Sequence, residues 1–410
     1  MKIKFNFGCI AVLFLTQTVF AATKVINSSD LVYVGAFTVP SSGSEATSLG
    51  YNGAGLTYNP ANNSLFIAGH INYSRVAEIS IPTPVNSTNL SSLNRATLLQ
   101  APADISEGNL NKLDAGGAIY ANGQVNLGGL LVHNNRLIGT AYGFYDANHE
   151  AIRSHFASGL MLSQIGDFKG MYQLLPTPQA GHVAGPMCNI PAEYQTALGG
   201  KAITFLRAPS QNPGRSNYGP GAFAFNPDAL TGASSTVVPT VPLVYYDMGH
   251  QTLGAYDGPT NQYVSIKDEI WGVVFPENTK TILYFGRHGT GVRCYGTGTQ
   301  CGDPVYTDDK GDHTYPYKYW IWAYDVDDLI AVKNGTKNPW DPIPRVWELS
   351  LPITGWNAVI SGAAYDPATQ RIYLLTDRGE SPLPIIHVYK VNVTAPPVVK
   401  RPSSPSLQIR

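Results

Sequence analysis

The chain has 410 residues, and its 27 Lys and Arg against 28 Asp and Glu leave a formal net charge of -1. A chain so close to neutral offers no electrostatic reason to expect nucleic acid or a membrane as a partner. Only 13% of its residues are charged, whereas Gly (41), Pro (30) and Tyr (24) are plentiful. This balance is typical of short strands and tight turns, so we predict an all-β protein.

The first residues match a secretory signal peptide. A basic start is followed by an apolar run over residues 5–20, and Val19 and Ala21 supply the small residues that a signal peptidase recognises. We therefore expect residues 1–21 to be removed and the mature protein to be secreted or periplasmic. No later apolar stretch of the sequence approaches the roughly 18 residues that a membrane helix needs.

Beyond this leader, one strand–turn–strand pattern recurs. A Gly opens a short apolar strand, a Pro-containing polar turn follows, and a second apolar strand leads into a polar loop, as expected of a β-hairpin. The full copies are GLTYNPANNSLFIAGH, GVVFPENTKTILYFGRH and GAAYDPATQRIYLLTD, which start at Gly55, Gly272 and Gly362; shorter relatives start at Gly129 and Gly221.

Such recurrence predicts a β-propeller over residues 23–394. Blades of about 40 to 50 residues would give about seven of them. A β-sandwich built from the same hairpins is the structural alternative. One short helix is expected in AYDVDDLIAVKNG from Ala323, and residues 395–410 are expected to form a Pro/Ser-rich C-terminal tail beyond the propeller domain.

The segment 287–317 concentrates candidate metal ligands. Two thiols and two imidazoles are the donor set of tetrahedral structural zinc. Such a site would hold this long loop in place but, because it has no open coordination position, would not be catalytic. The alternative is a disulfide between the two cysteines, which suits an oxidising compartment. The sequence leaves open whether calcium joins zinc. The four residues are His288, Cys294, Cys301 and His313.

In a propeller, the loops that leave the second strand of each hairpin emerge on one rim. Tyr142, Tyr145 and His288 follow such strands, so we expect them to share the rim on which propellers usually bind ligands. His133 lies in the HNN turn between two strands, and it is either a site residue or a turn residue of the opposite rim.

Two segments are more polar than turns require. Tyr rings stack on sugar faces, Arg pairs with a carboxylate or sulfate, and His or Tyr transfers protons, so both segments suit an anionic sugar. Ordinary surface loops are the alternative. The segments are AYGFYDANHEAIRSHF, with Tyr142, Tyr145, Asp146, His149, Arg153 and His155, and PGRSNYGPG, with Arg215 and Tyr218. We take Tyr142, Tyr145 and Arg153 as candidate substrate-binding residues.

The chain resembles the secreted propeller polysaccharide lyases that degrade ulvan, a sulfated, uronate-containing polysaccharide. The matching stretches are YDANHEAIRSHF, PAEYQTALGG, GRSNYGPGAFAFNP, FGRHGTGVRCYG and HTYPYKYWIWAYD, and they lie within residues 53–373. The resemblance implies a seven-bladed propeller, a structural zinc held by the four residues of the 287–317 segment, and cleavage by β-elimination.

The resemblance also implies catalytic roles. A positively charged group must neutralise the uronate carboxylate, because the carboxylate charge otherwise opposes the negative charge that develops at C5. A base then removes the C5 proton, and an acid protonates the departing oxygen at C4. Arg215 would pair with the carboxylate. The proton-transfer candidates are His155 and His133, with Tyr218 or Tyr194 as the tyrosine.

These observations favour a secreted, monomeric lyase whose partner is an acidic polysaccharide, with neither nucleic acid nor membrane as partner. A non-catalytic propeller that binds a carbohydrate or a protein at the same rim is the second hypothesis. A hydrolase, the third, would need two carboxylates about 5 to 10 Å apart. The acidic candidates are Asp146, Glu150, Asp308, Asp309 and Asp312.

Overall fold

A computed structural model describes residues 24–41, 43–121, 123, 125–208, 214–231 and 237–392, with the backbone alone at residues 120 and 121. The predicted signal peptide, 1–21, and the predicted tail, 395–410, lie outside these described residues, so both stay predictions. None of the helices in the described ranges is long and apolar enough to cross a membrane.

The regular structure of the described residues is predominantly β-strand, as predicted. The first strands in chain order are β1 (Leu31–Thr38), β2 (Leu56–Asn59), β3 (Ser64–Ala68), β4 (Val76–Ser80), β5 (Leu98–Ala103), β6 (Val125–His133), β7 (Arg136–Gly143), β8 (His155–Ser158), β9 (Lys169–Leu175), β10 (Met187–Asn189) and β11 (Ala202–Thr204). The remaining strands are β12 (Ala222–Phe225), β13 (Val237–Val244), β14 (Glu269–Val274), β15 (Thr281–Gly289), β16 (Cys294–Thr297), β17 (Lys310–His313), β18 (Tyr317–Asp325), β19 (Arg345–Glu348), β20 (Ile360–Asp366), β21 (Arg371–Glu380) and β22 (Leu383–Val391).

The α-helices of the described residues are few and short. They are α1 (Ala118–Ala121), α2 (Gln195–Leu198), α3 (Gly298–Cys301) and α4 (Val326–Lys333), and the further helical turns are short 3-10 helices. The side chain of Asp325 caps α4 by accepting a hydrogen bond from the backbone of Asp327, as an N-cap residue should. The helix predicted from Ala323 is therefore confirmed.

The strands form five four-stranded units in the described residues. The first three units are β2–β5, β6–β9 and β10–β13, and the outer strands β9 and β13 pair in parallel, which joins the second and third units into one eight-stranded sheet. The fourth unit is β14, β15, β18 and β19, and the fifth is β20, β21, β22 and β1. A separate hairpin, β16–β17, is inserted in the fourth unit.

The first strands of these units close a ring. In chain order, β2, β6, β10, β14 and β20 each contact the next, and β20 contacts β2. Radial sheets around a central channel are the architecture of a β-propeller. The prediction of about seven blades is not confirmed, because the described strands account for five units. The first strands of the units start at residues 56, 125, 187, 269 and 360. These starts are farther apart than the roughly 40 to 50 residues expected of a blade, because long connections separate the strands within each unit.

The recurrent glycines of the hairpin pattern lie where neighbouring first strands approach most closely. A Cβ atom at Gly272 would lie 2.9 Å from the Cβ of Ala363, and one at Gly362 would lie 2.8 Å from the Cβ of Leu56. Both glycines also follow a register shift between the first two strands of their units, as expected of a β-bulge. Glycine is therefore required by the narrowness of the ring.

The hairpin turns depend on residues that tolerate a left-handed backbone. Asn63, Asn134 and Asn278 have φ values of 49°, 51° and 60°, and each lies between the first two strands of a unit. Asn adopts this conformation more readily than most residues. The polar turns seen in the sequence therefore reverse the chain as predicted.

The two ends of the described chain meet in the fifth unit. Strand β1 pairs antiparallel with β22, from Leu31 opposite Val391 to Thr38 opposite Ile385, which closes the ring with an N-terminal strand. Apolar side chains fill the space between units; one cluster joins Leu65 of the first unit to Leu375 of the fifth. Each sheet is therefore stabilised by its neighbours.

Candidate functional site

One end of the central channel opens into a polar and aromatic cavity of about 390 Å³, which we call the channel mouth. It lies where the first strands begin and where β7 and β21 end. Of the three residues predicted to share one rim, Tyr142 lines this cavity, whereas Tyr145 and His288 do not. Its lining comes from the first, second, fourth and fifth units: Asn52, Gly53, Ala54, Ile71, Tyr142, Phe144, Lys267, Glu269, Trp271, Tyr306, Asp309, Val359, Ser361 and Asp377.

A buried ion pair fixes the position of Glu269 in the mouth. Arg287 on β15 is 4% exposed, and its Nη2 lies 2.5 Å from Oε1 of Glu269 on the paired strand β14. Its Nη1 donates to Oδ1 of Asn357 over 2.6 Å. Burial alone would lower the pKa of the Arg287 guanidinium, but Glu269 and Tyr306 hold it above its ordinary value. Arg287 therefore stays charged and anchors Glu269.

Tyr306 completes this pair. Its hydroxyl accepts a hydrogen bond from Nη2 of Arg287 and donates one to Oε1 of Glu269 over 3.2 Å. Burial and the charge of Glu269 raise the pKa of the Tyr306 phenol, while Arg287 opposes the rise. The contact between phenol and carboxylate provides a path along which a proton can pass.

Lys267 lies beside Tyr306 at the cavity wall. Its Nζ is 4.6 Å from the centroid of the Tyr306 ring, within the range of a cation–π interaction. Burial lowers the pKa of Lys267, although Glu269 opposes this effect. No described residue forms a salt bridge with Lys267 within 4.0 Å. A partly desolvated cation without a direct counter-ion is suited to pair with an anion from solution.

Aromatic rings form part of the wall. The rings of Trp271 and Tyr142 have centroids 5.7 Å apart, and Phe144 is 47% exposed. Next to them, Nδ2 of Asn52 donates to Oγ of Ser361 over 2.9 Å, while the buried Oδ1 of Asn52 has no partner among the described residues. Apolar faces beside hydrogen-bonding groups suit the two sides of a sugar ring.

Asp377 adds a second carboxyl group to the mouth. Its Oδ1 accepts from the backbone N of Val359 over 2.5 Å, and its Oδ2 accepts from Nε of Arg378 over 2.9 Å. Burial raises the pKa of Asp377, although Arg378 opposes the rise. The carboxyl group is therefore held rigidly at the edge of the cavity.

The inserted hairpin holds Tyr306 in place. Cys294 and Cys301 form a disulfide bond, and Asp303 lies two residues after Cys301. Its Oδ1 accepts from the backbone N of Tyr306 over 3.3 Å, and its Oδ2 accepts from the hydroxyl of Tyr317 over 2.6 Å. Asp303 thus links the disulfide-bonded turn to the wall of the mouth.

The predicted closed zinc site does not fit this arrangement. The disulfide consumes both thiolates that a Cys2His2 site needs, so the structure corresponds to the alternative reading of Cys294 and Cys301. The two ring nitrogens of His313 lie 2.8 Å from Oδ2 of Asp303 and 3.0 Å from the carbonyl oxygen of Asp309. Nδ1 of His288 lies 2.8 Å from Oδ1 of Asp268. Within the described ranges, no three potential ligands gather as a metal site, and neither zinc nor calcium is confirmed.

The predicted catalytic role of His155 has to be corrected. Strand β8 starts at His155 and buries its side chain completely, against the ring of Phe225 with centroids 5.1 Å apart. Its Nδ1 shares a hydrogen bond of 2.9 Å with Oγ of Ser154. Burial lowers the pKa of His155 to about 3. A neutral imidazole packed between two four-stranded units does not reach a polymer outside the molecule.

His133 and Tyr194 also lie away from the mouth. His133 ends β6, at the opposite end of the channel, where its Nδ1 lies 2.7 Å from Oδ1 of Asn189 and its Nε2 lies 3.2 Å from Asp228. Tyr194 is 5% exposed and stacks on Phe275 with centroids 5.3 Å apart; burial raises its pKa to about 12. The position of His133 therefore corresponds to the alternative of a turn residue on the opposite rim.

Tyr218 is buried as well. Its hydroxyl donates to the carbonyl oxygens of Ala255 and Tyr256, and it is 2% exposed. Arg207 lies over its ring at 5.4 Å, and burial raises the pKa of Tyr218 to about 12 although Arg207 opposes the rise. Tyr218 packs in the interior, so neither candidate tyrosine joins Arg215 at an open site.

Part of the predicted substrate-binding set does come together. Arg215 lies 5.9 Å from the centroid of the Tyr145 ring, and its Nε and Nη1 are buried without a hydrogen-bond partner in the described part of the chain. Arg153 and Tyr142 line the same small pocket. Because Tyr142 also lines the mouth, this Arg215 pocket and the mouth are neighbours on one face.

Most of the mouth was not predicted from the sequence. Lys267, Glu269 and Asp377 are charged residues in or next to strands, and Trp271 is an aromatic strand residue; both kinds are common, so neither indicates a site. Glu269 and Trp271 come just before the recurrent Gly272, as Ser361 comes just before Gly362. In the hairpin pattern, the residues just before the recurrent glycines therefore indicate which side chains line the channel mouth.

Comparison with known proteins adds little to this description. No family model and no curated protein matches the chain. Among solved structures, a luciferin-regenerating enzyme matches at 8% identity and a TM-score of 0.35, over 88% of this chain and 94% of that one. A glucose dehydrogenase matches at 12% identity and a TM-score of 0.32, over 89% of this chain and 99% of that one. The periplasmic gluconolactonase PpgL of Pseudomonas aeruginosa matches at 9% identity and a TM-score of 0.30, over 83% of this chain and 74% of that one. The propeller assignment rests on the strands themselves, and the resemblance to ulvan lyases stays a prediction.

Proposed function

We propose that this protein cleaves a uronate-containing polysaccharide by β-elimination at the channel mouth. The observation that supports this most is the position of Lys267 beside Tyr306, whose hydroxyl is hydrogen-bonded to Glu269 and Arg287. These groups provide a cation for the uronate carboxylate and a phenol that can exchange a proton.

In this proposal, the wall of the mouth binds the sugar. Trp271 and Phe144 offer apolar surface to a pyranose face, and Asn52 offers an unpaired amide oxygen to a hydroxyl group. Lys267 pairs with the carboxylate and withdraws charge from C5, which makes the C5 proton more acidic. Binding and activation thus depend on the same cation.

The proton transfers balance without a further reactant. Glu269 accepts the C5 proton, and Tyr306 donates its hydroxyl proton to the leaving oxygen at C4. The electron pair of the C5–H bond forms the C4=C5 double bond as the C4–O bond breaks. The proton on Glu269 then passes along their hydrogen bond to the Tyr306 oxyanion, which Arg287 stabilises, so Tyr306 ends protonated and Glu269 ends ionised.

The Arg215 pocket supports an acidic polymer as substrate. It adjoins the mouth through Tyr142, and its guanidinium has buried nitrogens without described partners. A second carboxylate or a sulfate on a neighbouring sugar would satisfy them. The disulfide between Cys294 and Cys301 supports the further proposal that the protein works outside the cytoplasm.

The test uses ulvan and other uronate polymers as substrates and follows the absorbance of the unsaturated product near ~235 nm. Lys267→Met and Tyr306→Phe are expected to abolish the signal. Lys310→Met and Tyr295→Phe are matched controls, because both residues lie exposed on the same inserted hairpin. A wild-type protein that gives no product on any of these polymers contradicts the proposal.

A binding protein without activity is the second candidate. It is favoured by the mutual hydrogen bonds of Arg287, Glu269 and Tyr306, which leave the network stable without any substrate. Retention on an immobilised uronate polymer without absorbance would identify this function. A hydrolase would release reducing ends without absorbance; of its predicted carboxylates, Asp309 lines the mouth.

A further inference from the structure

The opposite end of the central channel holds a second cavity, of about 300 Å³, which the proposed cleavage site does not use. We call it the exit cavity. All five first strands contribute to its wall. One buried lining residue from each strand shows this: Leu56, Leu131, Cys188, Val273 and Ala363. The cavity therefore has apolar walls that the closed ring makes rigid.

Most polar groups in the exit cavity are already satisfied. Oγ1 of Thr57 accepts from the backbone N of Val132 over 2.9 Å. Nδ2 of Asn189 donates to the carbonyl oxygen of Val132 over 3.0 Å, and Nε2 of Gln195 donates to that of Ile190 over 2.9 Å. These side chains complete the wall and leave little hydrogen-bonding capacity for a ligand.

Glu277 is different. It lines the cavity, and no described residue forms an ion pair with its carboxylate within 4.0 Å. Burial raises the pKa of Glu277, and the nearby charge of Glu193 raises it further. The carboxylate of Glu277 thus lies near a second negative charge, that of Glu193, which is not itself part of the cavity wall. A positive charge placed there would relieve both.

Aromatic rings surround the same space. Tyr58, Phe275 and Tyr365 line the cavity together with Glu277. The face of an aromatic ring attracts an ammonium group, and aromatic cages are a common way of binding organic cations. An apolar cavity with aromatic walls and an unpaired carboxylate is therefore complementary to a cation that carries an apolar group.

We propose that the exit cavity binds a small organic ammonium ion, with its apolar group between the first strands and its charge beside Glu277. This site is independent of the proposed cleavage at the mouth. A volume of about 300 Å³ lies at the lower end of the range of small-molecule sites, so the ligand is a small amine rather than a peptide. Anions are disfavoured by Glu277 and Glu193.

Isothermal titration calorimetry with benzylamine tests this proposal, because benzylamine is protonated at neutral pH. Benzyl alcohol, which has the same ring but no charge, is the control ligand. Benzylamine is expected to bind saturably and the alcohol much more weakly. Glu277→Gln should weaken benzylamine binding about tenfold or more, because it removes the charged partner of the ammonium group. Glu348→Gln, at an exposed carboxylate of β19, is the matched control and should bind as the wild type does.

A second variant tests the cavity itself. Ala192 lines it and is exposed, so Ala192→Phe should fill the space and abolish binding without disturbing the core, which thermal unfolding verifies. Lys267→Met should leave benzylamine binding unchanged, which separates this site from the mouth. No saturable binding, equal binding of the alcohol, or an unchanged affinity in Glu277→Gln would each overturn the proposal.

Discussion

Nζ of Lys267 lies 4.6 Å from the centroid of the Tyr306 ring, at the mouth of the central channel. The cation comes from the segment before β14, and the phenol comes from the inserted hairpin region of the same unit. The disulfide-bonded turn and Asp303 hold the phenol in place. Two segments that are distant in sequence thus meet at one face.

The pH dependence of polymer binding follows from Lys267. Burial lowers its pKa below the ordinary value of 10.5, so the ammonium form is lost at a lower pH than for an exposed lysine. Affinity for a uronate oligosaccharide is therefore expected to fall as the pH rises through this lowered pKa. Titrations between pH 7 and 10 measure this; a lysine that remains charged over the whole range would give a constant affinity.

Arg287 and Glu269 predict a large effect on stability. Arg287→Met leaves the carboxylate of Glu269 buried without its partner, which should cost about 3 to 5 kcal/mol of the free energy of unfolding. Glu348→Gln breaks the exposed pair with Lys318, with side chains 54% and 44% exposed, and should cost about 1 kcal/mol or less. Urea denaturation compares the two variants. Similar losses in both would contradict the structural role of Arg287.

The all-β fold and its hairpins were predictable because they depend on local patterns. The Gly, the apolar strand and the polar turn of the copies at Gly55, Gly272 and Gly362 each correspond to paired strands. The number of blades was not predictable, because the lengths of the connections do not follow from a repeating pattern. The hairpin β16–β17 inserted between β15 and β18 is one such connection.

The state of the cysteines is directly measurable. Under denaturing conditions without reductant, alkylation of the mature protein should label Cys188 alone among Cys188, Cys294 and Cys301, because the last two are bonded to each other. Reduction should raise the intact mass by about 2 Da. Metal analysis of the same sample should show no zinc in a Cys2His2 site. Three reactive thiols with one bound zinc per chain would restore the original zinc hypothesis.

Acid should destabilise the fold through buried histidines. Burial lowers the pKa of His155, His182 and His387 from 6.5 to about 3. Below pH 6.5 the unfolded chain therefore binds protons that the folded chain does not. The stability that these groups contribute is complete above about pH 6.5 and is lost as the pH falls towards 3, by up to about 1.4 kcal/mol per histidine and pH unit.

Urea denaturation between pH 7 and 4 measures this loss. His155→Gln should make the dependence on pH shallower, because one of the three groups no longer titrates. His250→Gln is the control, since the side chain of His250 is 35% exposed. An equal slope in wild type and His155→Gln would show that His155 is accessible to protons in the folded state.

The site was predictable only in part. Tyr142 and Tyr145 were predicted to share one rim, and Arg153 and Arg215 were predicted in polar segments that suit an anionic sugar. In the structure, Tyr142, Arg153 and Arg215 line one pocket and Tyr145 lies beside Arg215, whereas His288, predicted on the same rim, is buried. The sequence does not show that His155 faces the space between two four-stranded units, because one residue of register decides which way a strand side chain points. Lys267 and Glu269 become meaningful only when the ring brings their strand ends to the channel.

The central claim is that the channel mouth, and not the buried His155, binds the acidic polymer. Calorimetric titration of a uronate oligosaccharide from ulvan into wild type, Lys267→Met and His155→Gln tests it most directly. We predict saturable binding to the wild type, an affinity at least about tenfold weaker in Lys267→Met, and a nearly unchanged affinity in folded His155→Gln. Equal affinities in wild type and Lys267→Met would contradict it.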